Sequence, residues 1–75
     1  MEERDRRLIQ QWIDKDQELR QSVAMHQQLE KKLEEMQAVP YLTTQDEMEI
    51  KKTKKLKLQL KDRIERILAR YRAES

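Results

Sequence analysis

Ala38-Val39-Pro40-Tyr41-Leu42-Thr43-Thr44-Gln45-Asp46-Glu47 is the stretch that decides the fold. Proline has no amide for a helix interior and pushes the preceding Val39 towards extended geometry. A threonine followed three residues later by an acid then supplies a helix start: the hydroxyl accepts from a free amide and the acid reaches back. Thr44 with Glu47, or Thr43 with Asp46, fits this capping box. Asp46, Glu47 and Glu49 also suit the positive end of the helix dipole. The break at 38–43 therefore separates two helices.

Downstream, the spacing predicts a helix over about residues 44–72. Its apolar stripe is Ile50, Thr53, Leu56, Leu60, Ile64, Ile67, Leu68 and Tyr71, and Arg70 and Arg72 suit the negative end of the dipole. Leu58 is the misfit, about 160° round the helix from Leu60. Upstream, Leu8, Trp12, Leu19, Val23, His26, Leu29, Leu33 and Met36 recur at steps of three, four or seven, interrupted by Lys15, Ser22 and Glu30. This predicts one helix over about residues 4–37, with a weak point at Asp14-Lys15-Asp16-Gln17, where either Asp is a candidate cap and the helix can kink. A short connection makes the two helices antiparallel neighbours. Folding about Pro40 then sets Trp12 beside Ile67, Leu68 and Tyr71, Leu19 beside Leu60 and Ile64, His26 beside Thr53 and Leu56, and Leu33 near Met48.

Composition agrees. Among 75 residues there are no glycines, cysteines or phenylalanines and one proline, while 43% are charged. Without glycine most hairpin turns are closed to the chain, and the common residues are helix formers. The fold class expected is all-α: one domain, an antiparallel two-helix, coiled-coil-like hairpin. Such a hairpin buries one narrow seam, which is little against the entropy of ordering it. Self-association into a four-helix dimer is therefore expected, through the remaining apolar edge of Ile9, Met25, Met36, Leu58 and Leu68, and the same edge could dock a partner helix.

The lack of cysteine excludes disulfides, thiolate nucleophiles and thiolate metal sites, and suits a reducing cytoplasm. No stretch approaches the ~20 apolar residues of a bilayer span, and the charged start leads into no signal-like apolar run, so a cytoplasmic protein is expected. Net charge is +2 but uneven: residues 1–40 hold seven Lys/Arg and nine Asp/Glu, residues 41–75 ten and six.

Leu8-Ile9-x-x-Trp12, then Leu19, Val23, His26, Leu29 and Leu33, and in the second helix Lys54-Lys55-x-Lys57-Leu58-x-Leu60-Lys61-Asp62-x-Ile64, resemble the YdcH-like family of small bacterial proteins of unknown function. The Lys-Leu-x-Leu-Lys-Asp run is the specific part, and the likeness spans roughly residues 7–68. It implies an oligomeric helical hairpin with no assigned activity, cofactor or site residues. The family often has leucine where Thr53 stands and an aromatic residue where Val23 stands, which thins the packing in mid-hairpin.

Candidate chemistry is sparse. His26, the only histidine, lacks partners for a metal site and a nucleophile for catalysis, so a structural role ranks first: a bond to Thr53 that fixes register. Lys51, Lys52, Lys54, Lys55, Lys57 and Lys61 are the candidates for nucleic-acid contact through counterion release. They spread around the helix with no interleaved aromatics, so a solvated face with i, i+4 pairing ranks above it. Trp12 and Tyr71 read as an aromatic clamp more readily than as a ligand cage, which needs more walls. Membrane-surface binding ranks last, because the apolar face is narrow and already has a partner helix. No cofactor is implied and an enzyme is not expected. A helical interaction module leads, with a weak, sequence-independent nucleic-acid-binding accessory protein as the alternative.

Overall fold

The computed structural model describes residues 3–74. It is all-α, with three helices in place of the two expected: α1 Glu3–Trp12, α2 Gln17–Gln37 and α3 Thr44–Glu74. The long upstream helix is broken, not merely kinked, and the weak point read from the sequence is where it breaks. The Trp12 carbonyl accepts from both Lys15 N (3.0 Å) and Asp16 N (2.9 Å), closing a turn over residues 13–15. Asp16 then leaves the helical region (φ −116°, ψ 105°), and its Oδ1 accepts from Leu19 N at 3.0 Å. That is an N-cap, and it starts α2.

At the other break, of the two capping boxes the sequence offers, Thr43 with Asp46 forms. Asp46 N donates to Thr43 Oγ1 (3.1 Å) and Thr43 N to Asp46 Oδ2 (3.0 Å). These reciprocal bonds satisfy two amides that have no partner inside the helix and hold the Asp46 carboxyl below its ordinary pKa. Before the break, α2 closes on Ala38, whose amide still reaches Glu34 O at 3.0 Å.

α2 and α3 run antiparallel, as two cross-helix ion pairs locate: Glu18 with Arg70 (3.7 Å) and Glu30 with Lys57 (3.5 Å). Exposed pairs like these contribute little energy; the packing comes from Leu19, Val23, Ile64, Ile67 and Leu68, which form the buried cluster. Leu8, Ile9, Trp12, Ile13 and Tyr71 pack against that cluster from α1, the turn and the end of α3. α1 doubles back, so its Arg6, Ile9 and Gln10 border the same depression as Val23 and His26 of α2 and Lys61 and Ile64 of α3. The molecule, 48 × 21 × 16 Å, is thus three helices thick near its termini and two helices thick towards the Pro40 loop.

Trp12 meets Tyr71 as the register predicts, with ring centroids 4.3 Å apart and planes 11° from parallel. Lys15 Nζ lies 5.5 Å from the Trp12 ring centroid. The Tyr71 hydroxyl donates to Asp16 Oδ2, so one carboxylate caps α2 and ties α3 to the turn. Asp5 adds an ion pair from α1 to Arg72 at 3.7 Å.

Candidate functional site: two uncovered flanks

The third layer decides which apolar side chains stay open. Ile67 and Leu56 lie only about 20° apart on the α3 helical wheel, yet Ile67 is 1% exposed and Leu56 51%. Ile67 belongs to the buried cluster against which residues of α1, the Ile13 turn and Tyr71 pack, whereas Leu56 borders a depression lined by α2 and α3 alone. Its spacing puts Leu56 in the seam; the structure puts it at the seam's rim instead.

Leu56 faces Met25, itself 50% exposed. With Leu29 and Leu60 they floor a groove of about 380 Å³ between α2 and α3. Gln28 and Gln59 border it, and Lys32 and Arg63 supply its charge. The groove continues past Arg63 into a second depression lined by Arg66, Arg70, Glu18 and Asp62. Across the two, four cations stand against two acids.

A separate depression holds Leu58, 64% exposed, beside Leu33 and ringed by Glu30, Glu34, Lys54 and Lys57. Leu56 and Leu58 point about 160° apart, so these are different flanks. Of the edge predicted from the sequence, Met25 and Leu58 are strongly exposed and on opposite sides. Met36 is half-buried. Ile9 and Leu68 are not part of an open edge. Ile9 is half-buried because α1 folds back and lays it on the core, and Leu68 is 0% exposed within that core.

The expected His26–Thr53 bond does not form. The Thr53 hydroxyl donates to Glu49 O, one turn back on its own helix, at 2.8 Å. His26 Nδ1 lies 3.8 Å from Glu30 Oε1, and its Nε2 is buried without a hydrogen-bond partner. Burial holds the His26 pKa below the ordinary histidine value; Glu30 opposes this, and Lys57 and Lys61 add to it. Two polar residues near the seam each find a local contact, and neither fixes register through the other.

The six lysines remain spread. Lys51, Lys52, Lys54, Lys55 and Lys61 are exposed; Lys57 is half-buried and paired with Glu30. Lys54 and Lys57 border the Leu58 flank and Lys61 borders the His26 depression; Lys51 lies about 20° and Lys55 about 60° from Leu58 on the wheel, while Lys52 points away. Leu58 and the acids Glu47, Asp62 and Glu65 share that side and interrupt the row, so no unbroken track of charge results. Among the described residues, no group of three or more His, Asp or Glu is placed to hold a metal ion. No helix there is long and apolar enough to cross a membrane.

A small all-α protein with two differently charged apolar flanks is what the geometry defines. Comparison with known families places it further: the chain belongs to the family described as protein of unknown function DUF465, whose model matches residues 18–68. This accords with the YdcH-like resemblance read from the sequence. The match covers nearly all of α2 and most of α3, including both flanks except Arg70, and leaves out α1 and the Leu8-Ile9-x-x-Trp12 stretch. No curated protein and no solved structure matches the chain.

Proposed function

We propose that the chain is a non-enzymatic helical interaction module that self-associates, two copies meeting through the Leu58 flank as a four-helix dimer. The observation that supports this best is Leu58 itself, a leucine 64% exposed beside buried Leu33. Its rim is charge-balanced, with Glu30 and Glu34 from α2 and Lys54 and Lys57 from α3. A two-fold contact puts the same patch on both sides, so the patch must complement itself. With the axis along the helices, α2 of one copy faces α3 of the other, and the acids of each rim meet the bases opposite. Glu30 and Lys57 are already paired within the chain, so burying them brings no net charge into the contact.

Sedimentation of the wild type and of Leu58→Glu across micromolar concentrations tests this. The wild type should run as a dimer and the variant as a monomer of unchanged helicity. A wild-type chain that is monomeric and fully helical throughout that range would overturn the reading.

A further inference from the structure

We infer that the Met25–Leu56 groove docks an acidic amphipathic helix of a partner protein. The inference rests on the reading of the chain as a helical interaction module, and it is independent of the Leu58 dimer. The floor is apolar and half of it is methionine and leucine at about 50% exposure. Such a surface gains by being covered, and methionine adapts to the side chains that cover it. Its outline suits a helix: two parallel walls with the cleft along their length, the helix-in-groove mode of recognition. From Leu56 to Arg70 the α3 wall runs about 21 Å, enough for roughly 14 residues of docked helix.

Charge selects the occupant. Lys32, Arg63, Arg66 and Arg70 line the groove and its continuation against Glu18 and Asp62; Arg70 and Glu18 pair with each other at 3.7 Å, which leaves three cations against Asp62. Arg63, Arg66 and Arg70 follow at i, i+3 and i+7, so they form a row along one side of α3. A second copy fits poorly, because a two-fold contact would set this net-positive patch against itself. Nucleic acid also fits poorly, because the floor is aliphatic and presents no aromatic ring on which bases could stack. A helix with leucines on one face and glutamates flanking them satisfies both the floor and the rim.

The test uses the full chain and three fluorescein-labelled probes read by anisotropy. They are a synthetic helix of about 18 residues with leucines at i, i+3, i+7 and glutamates alongside, the same helix with lysines replacing the glutamates, and a single-stranded oligonucleotide. The acidic helix should bind saturably and at least about tenfold more tightly than either other probe. Met25→Glu with Leu56→Glu should abolish its binding. Arg63→Glu with Arg66→Glu, both at exposed positions, should weaken it about tenfold or more with the helical signal intact, and added salt should weaken it too. Leu58→Glu should leave it unchanged whatever happens to the sedimentation coefficient, so failure of the dimer and failure of the groove are read separately. Equal or tighter binding of the lysine helix or the oligonucleotide overturns the inference, as does acidic-helix binding that the groove variants do not alter, or no binding at all.

Discussion

Replacing Asp16 by alanine removes two interactions through one side chain. Oδ1 caps α2 through the Leu19 amide, and Oδ2 accepts the Tyr71 hydroxyl. Loss of an N-cap costs about 1 kcal/mol. A hydrogen bond to a charged group contributes about 1.5–3 kcal/mol when shielded; Asp16 and Tyr71 are only half-buried, which brings this one down to about 1 kcal/mol. The sum is about 2 kcal/mol, and at about 4–8 °C per kcal/mol for a chain of this size the melting temperature should fall by roughly 8–16 °C. Asparagine caps about as well as aspartate, so Asp16→Asn should lose only about 1 kcal/mol. Tyr71→Phe, which keeps the stack on Trp12, should also lose about 1 kcal/mol. The assay is far-UV circular dichroism melting at fixed protein concentration, with the double variant closing a cycle. Near-UV dichroism follows the Trp12 environment. An Asp16→Ala variant that melts with the wild type refutes the assignment. So does a cycle in which Asp16→Ala and Tyr71→Phe simply add, because the shared bond must make them couple.

Leu68→Ala should cost about 2–5 kcal/mol, as a fully buried leucine does, whereas Leu56→Ala should change stability by no more than about 0.5 kcal/mol; chemical denaturation separates the two, and equal costs would contradict the burial pattern. Acid should weaken the fold below the ordinary carboxylate pKa of 3.8, because Tyr71 and the Leu19 amide hold Asp16 lower and Thr43 holds Asp46 lower. The unfolded chain binds protons first there, so stability present above that pKa is lost as pH falls through the folded values. Melts of Asp16→Asn with Asp46→Asn should flatten that limb, and an unchanged slope counts against it. His26 acts in a higher window with the same sign. Its folded pKa lies below 6.5, so the unfolded chain takes up the proton first and stability declines as pH drops from about 6.5 towards the folded value. His26→Leu should remove that decline and be neutral or stabilising, since it deletes a buried nitrogen with no partner; a loss of helix pairing would show that His26 fixes register after all.

Periodicity and turn chemistry made the helical class, the Pro40 break and the Trp12–Tyr71 contact legible, because each depends on spacing or on local hydrogen bonds. Asp16 is a more instructive position. Aspartate is as good a cap at a new helix as it is tolerable inside a long one, and local sequence left both courses open. What resolves them is a tertiary partner, the Tyr71 hydroxyl, which lies 55 residues away. The course of α1 follows from that choice and then sorts the surface: Ile9 and Leu68 are covered, and Leu56 is left open although it shares a wheel sector with Ile67. A stripe of apolar residues tells which side of a helix is buried. It does not tell how many layers lie over each turn of it.

The turn at Ile13–Asp16 contains no glycine or proline, and among the described residues no backbone angle is left-handed. Its backbone angles, extended at Asp16 (φ −116°, ψ 105°), are therefore ones that almost any residue can adopt, and beyond the two bonds to the Trp12 carbonyl what holds the bend is a side chain. In mechanical language the carboxylate of Asp16 is a latch with two catches, one on α2 and one on α3. The body of the molecule does not depend on it for its seam, but the seating of the amino-terminal helix does.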